Sequence, residues 1–251
     1  MPTLFVSTPC YGGICLEKYA TSIIRLQELC LAKGVEMFFD TIENESLVQR
    51  ARNVSIGRFM QKTKADYFMF IDADIHFDPE SVLHLLGSGH DISVACYPKK
   101  FVDWDTAAKY VKNGGDTSKC MTNISSSLVV NVEPQESEMH AVDAKGFIKI
   151  LDGPTGFMMI KREVIQRMEG HYPELWCVND HQNRDMETYC ALFDCMIDPN
   201  TRRYLSEDYA FCRRWQLMGG SIHAHISSTL GHVGNLAFEG KFCHRLKETK
   251  T

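Results

Sequence analysis

Three short clusters in this chain carry residue types that do chemistry: Asp72-Ala73-Asp74, Ser206-Glu207-Asp208, and His232 in Gly231-His232-Val233-Gly234. Two carboxylates at i and i+2 point to the same side of an extended segment. At the end of an apolar strand such a pair is repulsive unless a cation sits between its members. Hard oxygen ligands suit Mg²⁺ or Mn²⁺, and phosphates commonly complete the shell, so a divalent cation carrying a diphosphate fits. The competing reading of Asp72 and Asp74 is a strand-to-helix turn whose acids cap the next helix. Ser206-Glu207-Asp208 also has two readings. It is a plain helix start, with a Ser cap and acids favoured by the helix dipole, or it presents Asp208 as a base. Tyr209 at the position of the reciprocal acid leaves a capping box incomplete. A lone histidine is more often structural, as expected for His223 and His225, whereas His232 between glycines is open to a ligand.

The elements that must position these groups follow from periodicity. Thr3 to Thr8 is a β-prone run, and Leu16 to Leu29 repeats apolar residues at spacings of three and four until Gly34. A second strand is expected at 35–40, a helix over 45–62, and a third strand at 67–71 whose unbroken apolar run suits cover on both faces. Pro79-Glu80 opens a short helix, and 91–96 is a fourth strand. Residues 101–126, with Gly114-Gly115, read as a long loop or excursion. Strands are expected near 127–133, 146–151 and 156–160, helices over 161–168 and 206–218, and a last strand near 221–226. Residues 170–200 read as irregular and the end as a polar tail. This alternation predicts an α/β fold: a mostly parallel, doubly wound sheet flanked by helices in one compact domain. Residues 1–75 would form a nucleotide-binding half, 76–235 an acceptor half and 236–251 a tail. Ligands in such sheets bind at the carboxyl ends of strands, here Thr8 to Gly13, Asp40-Thr41 and Asp72 to Asp74.

Composition sets the bounds. Of 251 residues 44% are apolar and 24% charged, which excludes a disordered chain. Lys and Arg number 27 against 32 Asp and Glu, a net charge of −5, so bulk neutralisation of nucleic-acid phosphates is excluded and only a local basic patch is left open. No stretch has the roughly 18 apolar residues of a membrane span. No signal peptide is legible, and ten scattered cysteines without a Cys-x-x-Cys pair read as reduced thiols in a cytoplasmic protein. Cys177, His181, Cys190 and Cys195 match no tight zinc spacing.

In this context Ile71-Asp72-Ala73-Asp74, following a helix with Ala51-Arg52-Asn53, resembles the GT-A glycosyltransferases, close to the family-2 type. Cys96-Tyr97-Pro98-Lys99-Lys100, Gly153-Pro154-Thr155-Gly156-Phe157, Ser206-Glu207-Asp208-Tyr209 and Leu230-Gly231-His232-Val233-Gly234 are similar to further segments of that family, in its order. The resemblance implies a GT-A, Rossmann-like fold and transfer of a sugar from a nucleotide-diphosphate sugar to an acceptor such as a glycan. It implies Thr8, Tyr11, Asp40 and Arg52 around the nucleotide, Asp72 at the ribose or the metal, and Asp74 and His232 on the metal. Asp208 would be the base, beside Glu207. The cofactor would be Mn²⁺, favoured by an imidazole ligand, or Mg²⁺. Such a metal would stabilise charge on the departing diphosphate, and a base opposite the leaving group would invert the anomeric centre. Lys99 or Lys100 reads either as a point charge for the diphosphate or acceptor or as a solvated turn. Arg213-Arg214 reads as an exposed helix face, and Trp104 and Trp176 as core or sugar-stacking residues. Two other functions stay open: a nucleotidyltransferase acting on sugar phosphates, although the chain after the first strand has no basic residue before Lys18, and a non-catalytic sugar- or nucleotide-binding module.

Overall fold

The computed structural model describes residues 1–101, 103–117, 128–132, 141–180, 186–234 and 237–241. Its centre is a seven-stranded sheet. The strands in chain order are β1 (Thr3–Cys10), β2 (Glu36–Glu43), β3 (Tyr67–Ile71), β5 (Ile92–Ala95), β6 (Phe147–Ile150), β7 (Phe157–Lys161) and β12 (Ile222–His225), arranged β2-β1-β3-β7-β5-β12-β6. Pairings β1–β2, β1–β3 and β5–β12 are parallel, while β7 and β6 run antiparallel to their neighbours. The α/β class and the mostly parallel sheet are therefore as the sequence predicts, with two reversed strands that periodicity does not reveal.

Helices cover both faces. In β3, Phe68 and Phe70 point to one side and Met69 and Ile71 to the other, all four fully buried. The first side packs against α2 (Val48–Lys62), α5 (Arg162–His171) and α6 (Glu207–Leu217) through Phe59, Ile165, Phe211 and Trp215. The second packs against α1 (Glu17–Lys33) and α3 (Glu80–Leu86) through Tyr19, Leu26, Val82 and Leu85. Each such buried side chain contributes about 1.5–3 kcal/mol over its exposed state, which explains the unbroken apolar run of β3. Gly34 closes α1 in the left-handed region at φ 69°, its N–H bonding back to Cys30 and Leu31, as the sequence predicts.

A smaller antiparallel sheet sits beside the main one. It joins β4 (Ile75–Phe77), β13 (Thr229–Val233) and β14 (Ala237–Lys241) in the order β14-β13-β4. Two ribbons complete the described strands: β8 (Trp176–Val178) with β9 (Thr188–Cys190), and β10 (Met196–Ile197) with β11 (Tyr204–Leu205).

Several expectations are corrected. Both first strands continue past their expected ends, β1 to Cys10 and β2 to Glu43, because β2 pairs with β1 along all eight residues. The stretch 101–126 is not all loop: α4 (Trp104–Lys112) lies in it, capped by the Asp103 carboxylate, which accepts from Thr106 N at 3.0 Å; residues 118–127 lie outside the described part. Near 127–133 only 128–132 are described, and they form isolated bridges, Pro98 with Leu128 and Asn131 with Asp152. Residues 170–200 contain β8 to β10, and the polar tail begins with β14. Among the described residues no helix is long and apolar enough to cross a membrane.

Candidate active site

A cleft of about 600 Å³ opens at the carboxyl ends of β1 and β3, between them and the side sheet. Its walls include Cys10, Tyr11, Ile42, Asp72, Asp74, Lys100 and Val233. The volume is that of a small-molecule pocket, and the place is where a ligand binds in a sheet of this kind.

The aspartates do not lie on an extended segment. Ile75 N bonds to Asp72 O at 3.0 Å, closing a turn between β3 and β4. No helix follows the turn directly; α3 begins at Glu80, whose N–H is taken by Asp78 at 3.2 Å, so capping by Asp72 or Asp74 is excluded. The turn sends the two carboxylates to separate cations rather than to a shared one. Asp72 accepts from both terminal nitrogens of Arg52, at 3.0 and 3.1 Å. Arg52 is buried on α2, and its Nε reaches Glu207 Oε1 at 3.4 Å. Burial works to lower the guanidinium pKa, but Asp72 and Glu207 outweigh it and raise it.

Asp74 faces the side sheet. Its Oδ2 lies 2.5 Å from Lys100 Nζ and 3.4 Å from His232 Nε2. Burial pulls the Asp74 pKa up, while the bonds from His232 and Lys100 pull it down and win. His232 arrives because β13 pairs with β4 in a register that sets His232 opposite Ile75, with Val233 N bonding Asp74 O at 2.8 Å. Gly231 sits opposite His76 in that register, and a Cβ there would fall 1.8 Å from the His76 ring. The His232 Nδ1 is 2.9 Å from the Pro98 carbonyl, which can only accept, so Nδ1 carries the proton. In a neutral ring the Nε2 lone pair then faces a carboxylate oxygen, two acceptors toward each other. A proton on Nε2 or a metal ion between them resolves that opposition, and the carbonyl bond on the far ring nitrogen is the usual support of a metal-ligating histidine. The residues thus fit a divalent cation, as a pair. Among the described residues no group of three His, Cys, Asp or Glu could hold a metal, and Asp72, tied to Arg52, does not join. Two protein ligands leave room for phosphates and water, the usual habit of Mg²⁺-type sites.

Tyr97 and Gly156 lock this centre, and neither is singled out by residue type. Tyr97 is buried, with its hydroxyl accepting from Gly156 N at 3.2 Å and its ring edge-on to His232 at 5.0 Å. Gly156, just before β7, accepts from Asp72 N through its carbonyl at 3.0 Å. A Cβ on Gly156 would lie 2.3 Å from the Tyr97 hydroxyl and 2.8 Å from Asp72 Oδ2.

Asp208 lies in the first turn of α6, next to Glu207, and the Arg52 charge acts on it; Arg52, Glu207 and Asp208 are not among the residues that line the cleft. Burial raises its pKa, Glu207 adds to that, and the bonds from Ser206 and Tyr209 N only partly offset them. Ser206 is at the N-cap position but caps no backbone N–H; its hydroxyl donates to Asp208 Oδ1 at 2.5 Å.

Other expected residues lie elsewhere. Thr8 is fully buried and shares a hydrogen bond with the Tyr19 hydroxyl, and Asp40 pairs with Arg58 at 3.1 Å. Neither lines the cleft, because the strands run on beyond them; Tyr11 does line it. Arg214 is buried and donates to the carbonyls of Leu192 and Asp194, and Arg213 pairs with buried Asp198, so this is not an exposed face. Trp104 and Trp176 are exposed and away from the cleft. Cys177 and Cys190 turn to separate carbonyls, of Tyr189 and Tyr172, and His181 lies outside the described residues. His223 and His225 are held by other side chains, His223 stacked on His90 at 3.7 Å and His225 bonded to Ser228 at 2.7 Å.

No family model and no curated protein matches the chain. Among solved structures it is similar to A197 from STIV, at 16% identity and TM-score 0.48, over 93% of this chain and 86% of that one. It is also similar to a glycosyltransferase involved in glycosylation of the major capsid of PBCV-1, at 13% identity and TM-score 0.31, over 68% of each chain. A third likeness is to S. aureus TarS, at 12% identity and TM-score 0.38, over 96% of this chain and 36% of that one. Likenesses of this strength leave function to the geometry of the cleft.

Proposed function

We propose that the chain is a glycosyltransferase of GT-A type that moves a sugar from a nucleotide-diphosphate sugar to an acceptor hydroxyl. The observation that carries this reading is the convergence of His232 Nε2 and Asp74 Oδ2 beside a cleft at the strand ends. Cys10, Tyr11 and Ile42 supply the wall for the nucleoside. Asp72, oriented by Arg52, offers its outward lone pairs to a ribose hydroxyl. Asp74 and His232 would hold Mn²⁺ or Mg²⁺, which would neutralise charge growing on the departing diphosphate.

Asp208 is the base. As the acceptor oxygen attacks the anomeric carbon, its proton passes to the Asp208 carboxylate. The bond from that carbon to the diphosphate oxygen breaks, and its electron pair leaves with the diphosphate. Attack from the opposite face inverts the centre and needs no covalent intermediate. The raised pKa suits this task, because a base works best when its pKa approaches the working pH. Arg52 holds Asp72 and Glu207 together and so joins the donor side of the cleft to the helix turn that carries Asp208. A triphosphate substrate is disfavoured: the turn Tyr11–Gly13 after β1 has no cation to grip it.

Release of nucleoside diphosphate from UDP-, GDP- and dTDP-sugars, with and without Mn²⁺, tests the reading. Activity with one donor, lost in Asp74→Ala, is expected. Full activity of that variant, or pyrophosphate release from a nucleoside triphosphate, would replace it.

A further inference from the structure

We infer that Lys100 is a built-in counter-cation that holds the place of the divalent ion on Asp74 until a diphosphate draws it away. The inference rests on the metal-dependent reading above and deepens it. One oxygen carries the argument. Asp74 Oδ2 is the atom His232 Nε2 faces, and the same atom is bonded by Lys100 Nζ at 2.5 Å. An ammonium at that distance repels a divalent ion held on the same oxygen, so the two compete for it.

The segment that carries Lys100 is part of the same device. Tyr97 packs its ring on His232, Pro98 fixes the His232 tautomer through its carbonyl, and a tight turn, Phe101 N to Lys99 O at 2.7 Å, delivers Lys100 over the cleft. Four consecutive residues therefore set the imidazole for an ion and supply its substitute. Without the substitute, Asp74 would stand as an uncompensated carboxylate in a partly buried wall, which is costly. The bond itself is weakly held. The Lys100 side chain is 38% exposed and that of Asp74 31%, so solvent screens the pair. Lys100 also lines the cleft, and an ammonium with three donors finds several charged acceptors on a diphosphate. A diphosphate entering with its ion thus gives Lys100 a new partner as the ion takes the old one. Ion and nucleotide then bind cooperatively, and the empty site resists stray divalent ions.

Mn²⁺ binding, read from the electron paramagnetic resonance signal of the free ion, tests this without turnover. Wild type, Lys100→Met, Lys100→Arg and Asp74→Asn are titrated with Mn²⁺ alone and again with UDP or GDP. Lys100→Met is expected to bind Mn²⁺ alone about two- to fivefold more tightly than wild type, the size of a partly exposed ion pair. Lys100→Arg, which keeps the charge, is expected to stay near wild type, and Asp74→Asn to lose the site. The tightening of Mn²⁺ binding by the nucleotide is expected to shrink in Lys100→Met. Equal or weaker binding of Mn²⁺ alone by Lys100→Met, with Asp74→Asn still losing the site, overturns the role of Lys100 and leaves the metal reading intact. Wild-type binding by Asp74→Asn, or no binding by wild type even with UDP and GDP, removes both.

Discussion

At Asp208 two sets of forces oppose each other. Burial and the neighbouring Glu207 favour the protonated acid, while the Ser206 hydroxyl, the Tyr209 N–H and Arg52 favour the carboxylate, and the first set prevails. A carboxyl whose pKa is raised by folding adds stability only while it is protonated, and that contribution is lost as pH rises through the folded value. The ionised group is therefore a cost to the fold. Asp208→Asn keeps an oxygen for Ser206 and Tyr209 and removes the charge. It is expected to lower turnover by about 10²- to 10⁴-fold while leaving the melting temperature equal or higher, read by a donor assay and thermal unfolding. The acid limb of kcat/KM should lie above the ordinary aspartate value of 3.8, since activity falls as pH drops through the Asp208 pKa. A simple capping residue would behave in the opposite way, its loss lowering stability and sparing turnover.

The strand ends and the turn between β3 and β4 govern the next level. Gly156→Ala forces a methyl against the Tyr97 hydroxyl and Asp72 Oδ2. Overpacking of this kind costs about 1–3 kcal/mol, so the melting temperature should fall by several degrees, with a larger loss in donor binding because Asp72 and Tyr97 shift together. Unchanged donor affinity in Gly156→Ala would sever the link between β7 and the cleft. Much at this scale was legible beforehand. The apolar run of β3, the spacing in α1 with Gly34, and the acids after Ile71 all speak through local rules. The end of β2 was not, because most of its side chains are exposed on both faces, so Asp40 and Thr41 look like a stop where pairing with β1 continues. Helix α4 escapes that reading although Trp104, Ala107, Ala108 and Val111 recur at helical spacing, because Gly114-Gly115 and the polar residues around them read as loop and only Ala107 is buried. Arg214 misleads in the other direction: a charged residue reads as surface, yet carbonyls of Leu192 and Asp194 satisfy it inside. The separation of Asp72 from Asp74 is also silent in sequence, since it depends on Arg52 and Lys100 arriving from other elements.

For the molecule as a whole, the edge of the main sheet around β5, β12 and β6 sets the response to acid. His223 is stacked on His90, which is 2.8 Å from Asp143; Lys149 and Asp91 are the other charges that act on it. Burial first, then His90, pushes the His223 pKa down to about 4. A histidine depressed by folding adds stability above its unfolded value and loses it as pH falls. Between pH 6.5 and 4 the protein should lose stability progressively, as followed by chemical denaturation at stepped pH. In His223→Phe, which keeps a flat ring against His90, the slope over that window should flatten; an unaltered slope would place the acid sensitivity elsewhere.

The side sheet joins β4, early in the chain, to β13, near its end. Residue 232 must therefore leave the ribosome before it can meet Asp74, and contacts so distant in sequence form late. The main sheet can gather β1, β2 and β3 while synthesis continues, but the proposed cation pair stays incomplete until β13 emerges.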